Sequence, residues 1–130
     1  MFVTINDKYK VNPDNIIMIR FIRSSPPKTE FKNSELKECK TYDLEFVSHN
    51  KSTFTIELGF NLDETLNYIE ILKTLFPKLT YVYNVLVDFK YVLGVELSNK
   101  IINFTLTNQQ KAIMEISSIE DAKKLFSLFQ

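Results

Sequence analysis

Few side chains in this 130-residue chain could do chemistry. His49 is the one histidine, Cys39 the one cysteine, and Gly59 and Gly94 the only glycines. A zinc triad or a facial triad needs more imidazoles than one, and a Cys/His catalytic pair is not expected from two residues set in polar turn-like stretches. Cys39, between Glu38 and Lys40, has no intrachain partner for a disulfide and reads as an exposed thiol. Two distant glycines cannot form a phosphate-cradling loop or a dinucleotide fingerprint. Carboxylates remain. Asp43, Glu45 and Glu57 fall on the outward faces of expected neighbouring strands, where a pair could in principle act as acid and base. The alternation reads that face as solvated, without the burial a general acid requires. The expectation is a protein that is not an enzyme and holds no cofactor and no metal.

The elements that position these residues follow from periodicity. Residues 2–5 and 8–11 flank Asn6-Asp7 as an opening hairpin, which Pro13-Asp14 interrupts because proline brings no N–H. Residues 16–23 are apolar on both alternating sets and read as a central strand. Leu44 and Phe46 alternate with Asp43 and Glu45, and Phe54, Ile56 and Leu58 alternate with Thr55 and Glu57, around a turn at Ser48-His49-Asn50-Lys51. Asn61 then caps a helix whose Leu62, Leu66, Ile69, Leu72 and Phe76 share one apolar face, and Pro77 ends it. Residues 80–87, with Tyr81, Tyr83, Val85 and Val87 on one set and Val82 and Leu86 on the other, read as one strand covered on both sides. After a turn at 88–90, residues 91–97 form a strand with Gly94 marking a bulge. Residues 102–107 and 112–116 pair, and Ser118 with Asp121 opens a helix presenting Ile119, Ala122, Phe126 and Phe129.

The second half thus rewrites the first. Asn61-Leu62-Asp63-Glu64 stands over Ser118-Ile119-Glu120-Asp121, Lys51 over Lys111 and Phe46 over Leu106. The expected fold is α+β: two tandem ββββα modules, 1–77 and 78–130, with antiparallel sheets, helices packed on them, and a pseudo-two-fold axis between copies that cover each other. Residues 24–40 differ in kind, a long exposed loop or irregular hairpin with only Phe31 and Leu36 as apolar anchors.

Composition limits the partners. The 45% apolar fraction excludes a disordered chain, and no apolar run reaches the roughly 20 residues of a membrane span. Residues 1–5 are too short and too regular for a secretory segment, so a cytoplasmic protein without membrane association is expected. Sixteen basic and sixteen acidic side chains cancel, so no global field steers the chain toward polyanions. The abundance of Lys, Asn and Ile suggests an A+T-rich genome, bacterial or phage.

Val11-Asn12-Pro13-Asp14-Asn15-Ile16-Ile17, followed by the 44–58 hairpin and an acidic helix start, resembles the small FlbD-type bacterial proteins over about the first 75 residues. The chain departs from them in lacking the usual hairpin glycine, inserting 24–40 and appending a second module, so the resemblance does not imply a flagellar role. In architecture, tandem four-strand-plus-helix modules are also similar to PUR-repeat and Whirly-type proteins, which implies single-stranded nucleic-acid binding on a sheet.

The leading expectation is a non-catalytic accessory or inhibitory factor that meets a protein partner through a sheet surface and residues 24–40, with Arg20, Arg23, Lys28, Phe31, Lys32, Lys37 and Lys40 as the binding set. The alternative is a single-stranded nucleic-acid binder, against which the acidic sheet face argues. Free strand edges also leave a homodimer open.

Overall fold

The computed structural model describes residues 1–82 and 85–129, with every side chain among them except that of Lys28. In the first half, β1 (Val3–Thr4) and β2 (Lys10–Val11) form the opening hairpin. Its turn is held by Asn6 Oδ1, which accepts from the Lys8 and Tyr9 amides at 2.9 and 3.0 Å. A 3-10 helix, Pro13–Asn15, leads into β3 (Ile16–Arg23). Next come β4 (Lys28–Lys32), β5 (Glu35–Cys39), β6 (Tyr42–Ser48), β7 (Thr53–Phe60) and α1 (Leu62–Leu75). The second half contributes β8 (Thr80–Val82), β9 (Val85–Val87), a 3-10 helix Phe89–Tyr91, β10 (Val92–Ser98), β11 (Ile101–Leu106), β12 (Lys111–Glu115) and α2 (Ile119–Ser127). Among the described residues, no helix is long and apolar enough to cross a membrane.

The class is α+β with antiparallel sheets and two packed helices, but the sheets are not two sets of four strands. Among the described residues there are four sheets: β7-β6-β3-β9-β8, β10-β11-β12, and the hairpins β1-β2 and β4-β5. The strand expected over 80–87 is two strands that pair with each other, Thr80 opposite Val87; Tyr83 and Asn84, expected within it, lie outside the described residues. Both strands join the sheet of the first half, where Ile19 of β3 faces Leu86 of β9. Periodicity had no means of showing which sheet a strand enters.

β3 is the third of five strands and is buried on both sides, as its composition predicts. Ile16 and Ile19 belong to one core with Phe46, Leu72, Phe76 and Leu86. Ile17 and Met18 belong to the other, with Val85, Val87, Phe104, Met114, Ala122 and Leu125. The five-stranded sheet therefore separates two cores, one shared with α1 and one with β10–β12 and α2. The halves also meet at their turns, where the buried Asn108 donates from Nδ2 to the Ser48 carbonyl at 2.8 Å.

Both helices start as their caps predict. Asn61 Oδ1 accepts from Glu64 N at 2.8 Å while the Glu64 carboxylate accepts from Asn61 N at 3.1 Å, a complete capping box. Asn61→Ala is expected to cost about 1 kcal/mol in urea unfolding, since it strands a first-turn amide. The buried faces are shifted from those expected. In α1 Thr65, Ile69 and Leu72 are inside while Leu62 and Leu66 are 59% and 48% exposed. In α2 Ala122 and Leu125 are inside, and Ile119 and Phe126 lie on the exposed shoulder. Each apolar stripe is wider than the contact beneath it, and the sheet selects which edge is covered.

Local hydrogen bonding recurs between the halves. Asn12 and Asp88 each cap a 3-10 helix, accepting from Asp14 N and Lys90 N. His49 N donates to Asn15 O at 3.2 Å, and Thr107 N to Tyr91 O at 2.9 Å. Ser48 N donates to Ser52 O, and Leu106 N to Gln110 O, both at 2.9 Å, with Lys51 and Gln109 at φ 73° and 72°.

Candidate interaction surface

Residues 24–40 form a regular hairpin arm. Asn33 and Ser34 both take positive φ, 51° and 63°, the pairing that a two-residue turn between twisted strands requires. The register is Lys32↔Glu35, Phe31↔Leu36, Glu30↔Lys37, Thr29↔Glu38 and Lys28↔Cys39. Directly opposed residues share a face, so Phe31 and Leu36 lie side by side with Thr29 and Glu38, and the charged pairs occupy the other face. From Thr29 to Glu38 every residue is exposed, Phe31 at 76% and Leu36 at 64%. An isolated two-stranded ribbon is marginal in water. This one is anchored at its base, where Ser24 N donates to Thr41 O at 2.9 Å and Arg23 reaches Glu38 at 3.3 Å.

Three of the six basic residues expected to bind lie against carboxylates of this chain. Arg20 faces Glu45 across β3 and β6 and bonds it at 2.6 Å with both side chains partly buried. Arg23 holds Glu38 and lies 5.9 Å from the centre of the Tyr42 ring. Lys32 sits 3.9 Å from Glu30. Lys37 and Lys40 are exposed. Lys28 is placed by its backbone in β4, and its side chain lies outside the described set. The binding set is thus split: Arg20 belongs to the sheet, Arg23 to the arm's base, and Phe31, Lys32 and Lys37 to the arm.

A cleft of about 520 Å³ separates the arm's charged face from the start of α1, lined in part by Glu30, Lys37, Cys39, Asn61 and Glu64. Cys39 faces this side of the arm. Its thiol is held above its ordinary pKa first by desolvation and then by a hydrogen bond to Glu30 and the charge of that carboxylate, which opposes formation of a reactive thiolate.

Asp43 is corrected most sharply. The sequence puts it on a solvated face, yet it is 5% exposed, because the pairing of β6 with β7 shifts register between Tyr42 and Leu44. Its Oδ1 accepts from Ser24 Oγ, Leu58 N and Gly59 N, each at 3.0 Å. Glu45 is taken by Arg20 and Glu57 is exposed, so the three carboxylates have three different surroundings. His49 is exposed, its ring centre 6.4 Å from that of Tyr91. Among the described residues, no three His, Cys, Asp or Glu side chains come together as a metal-binding group.

No protein-family model, curated protein or solved structure matches the chain. The surface therefore has to be read from its own chemistry.

One feature of that surface was missed by sequence reasoning. Phe89, Val92, Leu93, Gly94, Val95, Phe126, Leu128 and Phe129 line an open groove of about 460 Å³ between β10 and the end of α2. Leu93 and Leu128 are 70% and 69% exposed. The available signal was Gly94, whose bulge shifts the register between Val92 and Gly94 and leaves Leu93 as the extra residue.

Proposed function

We propose that this chain is a non-catalytic interaction factor, accessory or inhibitory in its effect, that engages a protein partner through the β4–β5 arm. The observation carrying this reading is the cross-strand pair Phe31 and Leu36, 76% and 64% exposed on a ribbon with no covered face. Single exposed apolar residues are ordinary. Two opposed ones at the tip of an anchored ribbon form a ready anchor for a partner's pocket. The scaffold behind the arm is, in this reading, a duplicated unit of strand, 3-10 helix, three strands and helix, with the arm inserted between the second and third strands of the first copy.

The nucleic-acid alternative draws less support. Arg20, Arg23 and Lys32 are spent on Glu45, Glu38 and Glu30. The open face of β11 and β12 carries Asn103, Thr105, Lys111, Ile113 and Glu115, with no aromatic ring on which a base could stack.

The test is a photo-crosslinking residue placed at Leu36, with a control at the 67%-exposed Ile113, in cells making the protein. The expected result is a discrete protein adduct from position 36, lost when Phe31 is changed to Ser, and none from position 113. Equal labelling from both positions, or none from 36, overturns the reading. Phe31→Ser with Leu36→Ser should leave unfolding within about 0.5 kcal/mol of the parent, because neither side chain is buried.

A further inference from the structure

We infer that the groove between β10 and α2 receives the β4–β5 arm of a second copy of this chain, and that the exchange is reciprocal, giving a closed dimer. The inference rests on reading the arm as a protein-binding element and names its partner.

Local structure recurs between the halves. β3 follows the Asn12-capped 3-10 helix as β10 follows the Asp88-capped one. β3 pairs with β6 on one edge and with β9 on the other, through Met18↔Val87, Ile19↔Leu86 and Arg20↔Val85. β10 pairs with β11 alone among the described strands. Where β3 has β9, β10 has an edge open among the described strands and, beside it, exposed apolar side chains: Leu93, Phe89, Phe126 and Leu128. The position thus calls for an antiparallel strand bearing apolar residues.

The chain itself carries a strand of that kind. Among the described strands, each strand of the arm has one edge without a partner, and the arm's apolar face presents Phe31 and Leu36. Adding it to the β10 edge supplies main-chain hydrogen bonds, and the groove supplies the pocket, which is the usual division of labour in strand addition. The bulge at Leu93 and Gly94 lifts an apolar side chain out of the ladder to meet it. A Cβ at Gly94 would meet nothing within 4 Å, so the backbone there is open to approach.

Charge does not oppose the encounter, since sixteen basic and sixteen acidic side chains leave two copies without net repulsion. Arm and groove are different surfaces, so one-way docking would build an open chain of molecules. Reciprocal docking about a two-fold axis closes it with two equal contacts. Each contact then has to bury about half of the roughly 1,600 Å² typical of a stable interface.

Light scattering coupled to size exclusion, run over a range of protein concentrations, tests the inference. The parent chain should weigh about twice its 15.3 kDa. Leu36→Lys, on the arm, and Leu93→Lys, on the groove, should each return it to monomer, and both sites are exposed enough for the fold to survive. Mixing the two variants is decisive. A mixed dimer keeps one intact contact, from the unaltered arm of one copy to the unaltered groove of the other, so the mixture should dimerise at least about tenfold more tightly than either variant alone. A monomeric parent, a mass that climbs without limit, a dimer indifferent to either substitution, or a mixture no tighter than its parts each overturns the inference. A monomeric parent that still yields an adduct of another mass from Leu36 would leave the protein-partner reading standing and remove only the second copy.

Discussion

Replacing Phe46 by alanine is expected to cost about 3–5 kcal/mol of unfolding free energy, the largest single effect anticipated for this chain. Phe46 has no exposed surface, its ring stacks on Phe54 at a 4.9 Å centroid separation, and it meets Phe76 at 6.0 Å. Removing it takes away a large transfer term and leaves a cavity that β6, hydrogen-bonded on both edges, cannot collapse to fill. Domains of this size are stable by about 5–15 kcal/mol, so the variant should lose about a fifth or more of its margin. Urea unfolding followed by circular dichroism reads this as a lower midpoint at an unchanged slope. A loss below about 1 kcal/mol would contradict the placement of Phe46 in the core.

The second large effect is expected at Asp43. Asp43→Ala removes the acceptor for the Leu58 and Gly59 amides and for Ser24 Oγ, which Oδ1 holds together at 3.0 Å. An unmet buried donor costs about 1–3 kcal/mol, so two amides that regain only part of their hydration put the loss at about 3 kcal/mol. Asp43→Asn keeps a carbonyl oxygen in the same place and should lose less than half as much. That ordering separates a structural carboxylate from a chemical one: a residue serving only chemistry on an open face would leave stability unmoved by either change. Equal losses in the two variants would show that charge, and not the acceptor, holds the bulge.

The periodicity made most elements readable and left their assembly obscure. β3 was legible because Ile16, Ile17, Met18 and Ile19 leave no polar face, and the helix starts were legible because Asn61 and Ser118 are capping residues with acidic first turns. The break within 80–87 carried no glycine or proline to announce it. Asp43 was misplaced because a register shift breaks the strict alternation on which facing is inferred. Leu62, Leu66, Ile119 and Phe126 share the apolar faces of their helices with buried residues yet are exposed, because a stripe of apolar residues does not say how wide the supporting surface is.

The candidate surface was legible in its coarse position only. The polar composition of 24–40 and its two apolar residues marked it out, but its regularity depends on Asn33 and Ser34 both adopting left-handed backbone, for which Asn-Ser is a weaker signal than Asn-Gly. The basic residues were chosen for charge, and sequence separation conceals the carboxylate partners of two of them, Glu45 for Arg20 and Glu38 for Arg23; Lys32 lies near Glu30, two residues away on the same strand. The groove beside β10 gathers Phe89, Leu93 and Phe126 from three elements, and no local pattern joins them.

The bond from Ser24 N to Thr41 O closes the chain immediately below the arm, so what lies above that clasp contributes little to the two cores. The intervening segment behaves as a cassette: its residues can be exchanged, lengthened or recoded while the scaffold keeps its shape. Sequence changes are therefore free to accumulate there at little cost to folding, and a foreign ribbon spliced at the same two points would inherit a ready-made mount.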